Sequence, residues 1–509
     1  MSLSNAGTAA STHTTRTLII GTGFSGMGMA IQLLRNKQPD FIIIDKAHDF
    51  GGTWRENTYP GCACDVPSHM YSFSFEPNAR WTKLWARQPE IFEYMRAVAE
   101  KHDLKSYTHF GRTFTGAAWD DTTQRWTVRT AEGVSYEAQY LVSGIGGLHI
   151  PSVPRFQGDD TFRGERFHSA QWNHEIDLRG KRVAVIGTGA SAIQFVPEIV
   201  DQVKELHLYQ RTPAWVLPRT NVPIPGVAQT ALTKVPLARR AVRNVIYWAS
   251  ESLALGLNGN SNMMQPIERL AKWNIDRSVP DPELRRKLTP DYRIGCKRIL
   301  GSSTYYPALA REHSEVITEG IREFTPTGII ANDGTEREVD VVIYGTGFHV
   351  TDGFDSIDLT GRDGVKLKEQ WARAGMETHL GITIAGFPNA FFLLGPNTAL
   401  GHNSVVFMIE QQIGYILSAM KLADTKRGVI EVSAAAQREF TNEIQSKLTT
   451  GVWSTGGCTS WYLDSQGLNR TIWPGFTFQY WSRTRRVNAS DFVFESITAD
   501  APREAALTS

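Results

Sequence analysis

The hydrophobic pattern repeats one order of elements twice along the chain. An apolar run at residues 17–20 leads directly into the glycine-rich residues 21–26, and residues 27–35 then show the apolar spacing of a helix. A second apolar run at residues 41–44 ends in Asp45. Apolar runs of four or five residues are typical of strands buried in a parallel sheet. This segment is therefore predicted to fold as strand, tight turn, helix and strand, with an acid at its end.

The same order returns later in the chain. Residues 182–186 predict a strand, residues 187–192 a glycine-rich turn, and residues 205–209 a second strand that leads to Arg211. Asp45 stands 24 positions after the first glycine of its unit, and Arg211 stands 24 positions after the first glycine of the second unit. Two such units in one register are specific for Rossmann dinucleotide binding, whereas a lone glycine turn is weak evidence. We therefore predict an α/β fold with two nested Rossmann-like dinucleotide-binding domains and a helical insertion.

The last position of each unit indicates which nucleotide it binds. An acid there accepts the hydroxyls of a ribose and repels a 2′-phosphate, whereas an arginine pairs with that phosphate. Asp45 therefore predicts FAD in the first unit, and Arg211 predicts NADPH rather than NADH in the second. The helix that follows each turn offers free N–H groups to the phosphates. Contacts predicted around the two turns are Gly21, Gly23, Ser25, Gly26, Gly187, Thr188, Gly189, Ala190, Ser191 and Gln194.

Two further apolar runs that end in glycines, at residues 140–147 and 339–348, bracket the second unit. The simplest arrangement therefore inserts one domain into the other. The predicted parts are a flexible leader (1–15), an FAD domain (16–150 and 345–509) and an NADPH domain (155–340). Two chain crossings in a narrow hinge would let the domains move against each other.

Residues 222–290 have helical spacing and few strand signals, which predicts a helical insertion in the NADPH domain. Within it, residues 237–257 mix arginines with Val245, Ile246 and Trp248. Such a pattern occurs in helices that lie on a membrane surface. It occurs more often in helices that pack their apolar face onto the protein. We favour the second interpretation, in which the helix covers the substrate site.

The composition limits the class of protein. The chain has 509 residues, 41% hydrophobic and 21% charged, which is typical of a soluble protein with more than one domain. Its net charge of +1 gives no reason to expect nucleic acid or an acidic membrane surface as a partner. Residues 1–16 lack the apolar core of a signal peptide, and no apolar run reaches the ~20 residues of a spanning helix. We expect a cytoplasmic protein that acts on small molecules.

The four cysteines argue against a disulfide scaffold and are expected in a reducing compartment. Cys62 and Cys64 form a C-x-C pair without a second pair or a histidine cluster beside them, so no metal site is predicted. The C-x-x-C spacing of redox motifs is absent as well. Two small side chains in a packed loop are the favoured interpretation.

Residues 162–172, between the two units, have the sequence FRGERFHSAQW. This segment resembles the F-x-G-x-x-x-H-x-x-x-W signature of type I Baeyer–Villiger monooxygenases, class B flavoprotein monooxygenases that carry it between two Rossmann turns. The related flavin-containing monooxygenases usually have tyrosine at the position of Trp172, so the tryptophan favours the Baeyer–Villiger branch. Asn173 departs from the proline or aspartate that the family commonly has next.

The resemblance covers about residues 16–486. Other matching segments are Gly51-Gly52-Thr53-Trp54, Tyr59-Pro60-Gly61 followed by Asp65, Lys297-Arg298, Gly345-Thr346-Gly347, Gly395-Pro396-Asn397 and Ser460-Trp461-Tyr462. The resemblance implies FAD contacts at Gly52, Thr53, Trp54, Asp65 and Tyr71. It implies NADPH contacts at Arg211, Thr212, Lys297 and Trp461.

The resemblance also implies the reaction. One oxygen atom of O2 is inserted next to the carbonyl of a ketone to give an ester or lactone, by way of a flavin C4a-peroxide. Arg298 is the expected catalytic cation, because a guanidinium stays charged at any working pH and binds an oxyanion. Asp65 stands at the family position that orients this arginine. His168, in the linker before the second unit, and His402, in a glycine-rich turn, are not expected to act as general bases.

Three other functions remain open from the sequence. A flavin monooxygenase that oxygenates sulfur or nitrogen would use the same cofactors on a sulfide or an amine. An NADPH-dependent flavin reductase that acts on disulfides or electron carriers would need a redox cysteine pair or a patch for an acceptor protein, and the nearest pair, Cys62 and Cys64, has the wrong spacing. A redox-sensing binding protein would hold both nucleotides without turning over NADPH.

Overall fold

The computed structural model describes residues 11–259, 261–350, 357–464 and 466–496. In chain order the strands are β1 (Thr12–Ile20), β2 (Phe41–Asp45), β3 (Thr108–Phe110), β4 (Phe114–Asp120), β5 (Arg125–Thr130), β6 (Ser135–Ser143), β7 (Glu165–His168), β8 (Arg182–Ile186), β9 (Glu205–Tyr209), β10 (Val216–Leu217), β11 (Leu300–Gly301), β12 (Ser314–Ile317), β13 (Ile321–Thr325), β14 (Gly328–Ala331), β15 (Glu336–Glu338), β16 (Val341–Tyr344), β17 (Asp358–Thr360), β18 (Ala390–Phe392), β19 (Gly428–Val432) and β20 (Phe492–Ser496). The α-helices are α1 (Phe24–Arg35), α2 (Thr53–Glu56), α3 (Gln88–Lys101), α4 (Ala190–Ile199), α5 (Gly226–Lys234), α6 (Pro236–Leu257), α7 (Gln265–Ser278), α8 (Pro282–Leu288), α9 (Tyr305–Leu309), α10 (Leu367–Ala374), α11 (Val405–Lys426), α12 (Ala434–Leu448), α13 (Val452–Thr455) and α14 (Thr477–Thr484).

The first sheet has the strand order β17-β4-β5-β6-β1-β2-β3, with β18 beside β6. Strands β1 and β2 pair in parallel, with Thr17 opposite Phe41, and helix α1 connects them. Leu18 and Ile19 of β1 are fully buried, as expected for a central strand covered on both faces. Because β17 and β18 come from the last third of the chain, this sheet is built from both ends of the sequence.

The second sheet, β12-β9-β8-β16-β7, lies between those two parts in sequence and is parallel throughout. Helix α4 connects β8 to β9, where Arg182 pairs with Glu205. Each sheet therefore contains one strand–turn–helix–strand unit at the place predicted from the hydrophobic pattern. The predicted fold class, two nested Rossmann-like domains, is confirmed.

The flexible leader predicted over residues 1–15 is too long. Strand β1 begins at Thr12, and residues from Thr12 onward pair with β6 from Ser135 onward. The threonines of this segment have the β-branched side chains that suit a strand, so the prediction of a flexible leader is wrong from Thr12 onward. Residues 1–10 lie outside the described residues.

Helices α5 to α8 form the predicted helical insertion, between β10 and β11. The inner face of α6 is bonded to the part of the chain that forms the first sheet. Arg243 donates hydrogen bonds through Nη1 to the carbonyl oxygens of His69 at 2.8 Å and Ser72 at 3.1 Å. These contacts show that α6 packs its inner face onto the rest of the protein; that it covers the substrate site stays a prediction. None of the described helices combines the length and the apolar character that crossing a bilayer requires.

One disulfide was not predicted from the cysteine count. Cys296 is bonded to Cys458, 162 positions away, so the segment of Lys297 and Arg298 is linked to the segment of Trp461. Sequence spacing carries no information about so distant a pair. Cys62 and Cys64 are free and buried, and burial raises the pKa of Cys62 to about 12. Within the described ranges, no three His, Cys, Asp or Glu side chains are grouped as metal ligands.

Candidate active site

In the first glycine turn, Gly21 and Gly26 stand too close to other backbone atoms to carry a side chain, whereas the space beside Gly23 is open. Gly21 has a φ of +100°, and a Cβ there would lie 2.6 Å from the carbonyl oxygen of Gly144. A Cβ at Gly26 would lie 1.9 Å from the Gly21 oxygen, so only glycine lets α1 start here. At Gly23 the nearest atom to an added Cβ is the Gly52 Cα at 3.7 Å. The backbone at Gly23 is therefore accessible to a phosphate group at the helix N-terminus.

This turn opens onto a cavity of about 500 Å³. A volume of this size is typical of a cofactor site. The lining includes the segments around residues 143–150 and 392–396, which were not predicted to contact a cofactor. Trp54 donates its indole N–H to the Tyr71 hydroxyl at 3.1 Å, so the two rings hold each other at the wall. Predicted contact residues that line the cavity are Gly21, Gly23, Ser25, Asp45, Gly52, Thr53, Trp54, Tyr71 and Trp461.

Asp45 is fixed at the end of β2 by backbone donors. Its Oδ2 accepts hydrogen bonds from the N–H and the hydroxyl of Thr22, at 2.8 and 2.6 Å. Its Oδ1 accepts from the N–H of Ala47 at 2.9 Å, and Arg55 lies 3.6 Å away. The carboxylate thus faces the cavity in one orientation, and the contact with Thr22 connects the acid to the glycine turn.

The second turn repeats the first. Gly187 has a φ of +105°, and a Cβ there would lie 2.5 Å from the carbonyl oxygen of Gly345. Gly189 has no atom closer than 3.6 Å to an added Cβ, and both it and Ala190 are exposed at the start of α4. Thr188 donates its hydroxyl to the Thr212 carbonyl at 2.8 Å, which ties the turn to the strand end that carries Arg211.

Lys297 and Arg211 lie within electrostatic range of each other. Burial lowers the pKa of Lys297, and the nearby positive charge of Arg211 lowers it further, while Asp291 acts in the opposite direction. The Lys297 ammonium lies 5.2 Å from the centre of the Tyr292 ring. Like charges brought together in this way favour the binding of an anion between them. The predicted 2′-phosphate residues are therefore neighbours in space although they are far apart in sequence.

Gln194 has different partners from those predicted. Its side-chain oxygen accepts hydrogen bonds from the Tyr59 hydroxyl at 3.0 Å and the Ala63 N–H at 3.1 Å. Its amide donates to the Ala63 carbonyl at 3.0 Å. The side chain connects α4 to the segment that precedes Asp65, and the expected cofactor contact finds no support in this geometry.

Arg298 and Asp65, separated by 233 positions in sequence, form an ion pair with an Nε–Oδ2 distance of 2.5 Å. Arg298 also donates through Nη1 to the Leu400 carbonyl at 3.1 Å. The charge of Asp65 raises the pKa of Arg298 against the effect of burial. Burial raises the pKa of Asp65, but Arg298 and Arg219 lower it more, so it lies below its ordinary value. Both side chains keep part of their surface exposed, 32% for Arg298 and 27% for Asp65.

Two tyrosines and a second arginine surround this pair. Tyr71 lines the cavity and is within electrostatic range of both Asp65 and Arg298, so the pair lies on that side of the protein, although neither of its members is among the residues that line the cavity. Burial raises the pKa of Tyr462 to about 12, so this neighbour is neutral. Arg219 was not predicted from the sequence; burial lowers its pKa, and its guanidinium lies 5.4 Å from the Trp85 ring centre.

His168 lies within β7, and only 2% of it is exposed. Its Nδ1 accepts a hydrogen bond from the Ala170 N–H at 3.1 Å. Burial lowers the pKa of His168 to about 4, so the ring is neutral at working pH. This geometry indicates a structural residue, as the sequence suggested.

His402 belongs to a buried polar cluster around Glu251 that the sequence did not reveal. Glu251 Oε1 accepts hydrogen bonds from the Asn403 amide and from the Thr477 hydroxyl, both at 2.7 Å. Its Oε2 accepts from the Thr477 N–H at 2.9 Å, and the His402 Nε2 lies 3.3 Å from Oε1. Burial raises the pKa of Glu251, but His402, Asn403 and Thr477 lower it more, so the carboxylate is ionised. The cluster fastens α6 to the turn that follows Leu400.

Comparison with known proteins agrees with this geometry. Residues 14–233 match the family described as Flavin-binding monooxygenase-like. The chain is 49% identical over 494 residues to a Baeyer-Villiger monooxygenase of Pseudomonas aeruginosa, covering 97% of this chain and 94% of that protein. It is 44% identical over 479 residues to a Baeyer-Villiger monooxygenase of Streptomyces coelicolor, covering 94% and 92%.

Solved structures show the same likeness. An NADP+-bound cyclohexanone monooxygenase from Rhodococcus sp. Phi1 superimposes with a TM-score of 0.86 at 28% identity, covering 96% of this chain and 100% of that one. A steroid monooxygenase bound to NADP gives a TM-score of 0.83 at 29% identity, covering 95% and 100%. Similarity over nearly the whole length decides between the functions left open by the sequence. The chain therefore belongs to the type I Baeyer–Villiger monooxygenases, and it is an FAD- and NADPH-dependent monooxygenase.

Proposed function

We propose that Arg298 and Asp65 form the catalytic centre and that the substrate is a small ketone. The observation that carries this proposal is the fixed guanidinium of Arg298, which the Asp65 carboxylate and the Leu400 carbonyl hold within electrostatic range of Tyr71, a residue of the cavity wall. The structural neighbours named for cyclohexanone and for steroids, and a cyclohexanone monooxygenase bound to epsilon-caprolactone, support a ketone and its lactone or ester as substrate and product.

The domain built from residues 16–150 and 345–509 would hold FAD. The accessible backbone at Gly23 fits the pyrophosphate, because an added Cβ there meets nothing closer than 3.7 Å. The fixed carboxylate of Asp45 fits the ribose hydroxyls. Trp54 and Tyr71, joined by their hydrogen bond, would lie along the flavin.

The domain at residues 155–340, with its helical insertion at about 222–290, would hold NADPH. Arg211 and Lys297 supply the positive charge for the 2′-phosphate, and Thr212 stands beside them. Gly187, Thr188, Gly189, Ala190 and Ser191 form the turn and helix start that would receive the pyrophosphate. Trp461 lines the cavity from the C-terminal segment and would contact the bound nucleotide there.

When bound, NADPH supplies a hydride and FAD activates O2, so that one oxygen atom enters the product and the other leaves as water. The side chains of the protein contribute by stabilising the negative charge that develops during the reaction. Arg298 stays protonated because the charge of Asp65 raises its pKa, so it stabilises negative charge on the attacking oxygen and then on the former carbonyl oxygen. Asp65 and the Leu400 carbonyl fix the guanidinium before the reaction, which avoids reorganisation when charge develops.

The proposal is tested with the holoenzyme, NADPH and 18O2 on a series of cyclic, linear and aryl ketones. We expect one 18O atom per molecule of ester or lactone. Arg298→Ala should lower ketone oxidation by about 10²–10³-fold or more, the range for loss of an oxyanion donor. It should still oxidise NADPH and release hydrogen peroxide.

Arg311→Ala, a change of an exposed arginine paired with Asp201, is the matched control and should leave turnover unchanged. Arg298→Lys keeps the positive charge but loses the guanidinium that contacts both Asp65 and Leu400. Its rate should lie between those of Arg298→Ala and the wild type. Ketone oxidation that survives in Arg298→Ala would contradict the assignment.

A further inference from the structure

Exposed apolar side chains are concentrated on the outer side of the helical insertion. Of the seventeen large apolar side chains that are exposed among the described residues, ten lie within residues 222–273. On α6, positions 237, 241, 245, 248, 252 and 255 follow helical spacing and form one stripe. Leu237 and Val245 in this stripe are 75% and 70% exposed, and Trp248 and Leu255 are exposed as well. Patches of this kind mark interaction surfaces.

Helix α14 extends the stripe. The Trp248 and Phe478 rings lie 6.1 Å apart, centre to centre. Phe478 and Trp481 are three positions apart on α14, and both are exposed. The Arg485 guanidinium lies 4.6 Å from the centre of the Trp481 ring. We call the combined surface the insertion face; its apolar members are Leu237, Val245, Trp248, Leu255, Phe478 and Trp481.

The charges on the elements that form this face have one sign. Residues 222–257 contain four basic residues, of which Arg243 belongs to the inner face, and a single acid, Glu251, which is buried in its own cluster. Residues 466–490 contain no acid, and Arg485 and Arg486 are exposed there. The net charge of +1 over the whole chain gave no reason to expect an anionic partner. The local positive charge of these two segments does give a reason to expect an anionic partner.

We propose that the insertion face docks the enzyme onto an anionic lipid bilayer. Aromatic and aliphatic side chains would enter the headgroup boundary, while Arg240, Arg485 and Arg486 would meet the lipid phosphates. A second copy of the chain fits this face less well, because two-fold pairing sets the same arginines against one another. Arg243 and Glu251 keep the inner face of α6 bonded to the rest of the protein, so docking requires no unfolding.

Flotation of the holoenzyme with lipid vesicles tests the proposal. Vesicles of phosphatidylcholine alone are compared with vesicles in which a third of the lipid is phosphatidylglycerol. We expect the protein to float with the anionic vesicles at low ionic strength and to be released by salt. Arg240→Glu should weaken partitioning by roughly tenfold or more, since each basic residue near the surface contributes about a fivefold effect.

Val245→Glu places a negative charge in the middle of the insertion face and should also reduce partitioning about tenfold. Val493→Glu is the matched control, because Val493 is similarly exposed, at 52%, but lies on β20. Ketone turnover in solution should be unchanged in all three variants, which shows that they fold.

Failure to float with either vesicle would overturn the proposal, and so would a Val245→Glu variant that floats like the wild type. Sedimentation tests the other possible occupant of this face, a second copy of the chain. If the wild type is a dimer and Val245→Glu is a monomer, a second copy covers this face and the lipid proposal is wrong.

Discussion

Replacing Glu251 by glutamine removes one charge from a buried cluster and leaves the side-chain shape nearly intact. The carboxylate accepts three hydrogen bonds, two at Oε1 from Asn403 and Thr477 and one at Oε2 from the Thr477 N–H. A glutamine has only one acceptor oxygen, so its amino group must point at a donor. In the better of its two orientations, the glutamine places its oxygen at the Oε1 position and keeps the hydrogen bonds from Asn403 and the Thr477 hydroxyl. Its amino group then faces the Thr477 N–H, so two donors point at each other.

The cost follows from these contacts. Loss of one hydrogen bond to a charged acceptor, with a buried donor left unpaired, costs about 2–3 kcal/mol. Rotation of the Asn403 amide cannot relieve it, because its Oδ1 accepts the Ser404 N–H at 2.8 Å. For a cooperative unit of two to three hundred residues, this free energy lowers the midpoint of unfolding by roughly 3–6 °C. The turn after Leu400 loses its anchor too, so ketone turnover should fall, since the Leu400 carbonyl holds Arg298.

The measurement is the release of flavin fluorescence on heating, together with kcat and KM for a ketone. Thr477→Val removes one donor to Oε1 and nearly preserves the shape, so it completes a double-mutant cycle. If the cluster acts as a unit, Glu251→Gln should cost less in the Thr477→Val background than in the wild type. The electrostatic account fails if the midpoint of Glu251→Gln is unchanged, or if the two substitutions are strictly additive.

The other predictions concern separate sites. Arg211→Gln and Lys297→Met should each raise the KM for NADPH roughly 10–100-fold and leave the KM for NADH unchanged, because only NADPH carries the 2′-phosphate; a parallel rise for both nucleotides would contradict this. Between pH 6.5 and 4 the unfolded chain protonates His168 and the folded chain does not, so stability should fall by up to about 3 kcal/mol as the pH falls through this window. In thermal unfolding at pH 4.5 and 7, His168→Asn should lack this component. Replacing Cys62 and Cys64 together by serine should spare ketone turnover, since both thiols are buried; loss of turnover in a folded variant would revive a redox role.

The order of strands, glycine turns and helices could be predicted from the sequence because each of these patterns depends on residues that are close together in the chain. The two turns, both second strands and the helical insertion lie where the pattern put them. The start of β1 was misjudged, since Thr12 and its neighbours owe their place to pairing with Ser135 and beyond, a contact over more than a hundred positions. Propensity gives no information about such a partner.

The site was only partly predictable for the same reason. Resemblance to the family selected Arg298 and Asp65, and the structure brings them into contact. The Glu251 cluster has no sequence motif, because its members come from three distant segments and are brought together only by burial and hydrogen bonding. For the same reason, distance in sequence, the pattern predicted neither the disulfide of Cys296 and Cys458 nor the protein contacts of Gln194.

The connection between the two sheets was expected to be a hinge of two separate crossings, and its geometry makes it one ribbon. The Ser152 N–H donates to the Gly347 carbonyl and the His349 N–H to the Ile150 carbonyl, both at 2.9 Å. The Thr346 hydroxyl also donates to the Ser152 carbonyl. Bonded crossings of this kind can bend together but cannot slide independently.

Each arm of this ribbon starts at a glycine that touches a nucleotide turn. Gly144 approaches Gly21 at the start of one arm, and Gly345 approaches Gly187 at the start of the other. A phosphate bound at either turn would therefore lie near one root of the connection. A bend of the ribbon at either root would move Gly144 or Gly345 relative to its turn, and so would act on the backbone that we expect to hold a cofactor. We therefore expect nucleotide binding and the angle between the sheets to be coupled at these two glycines.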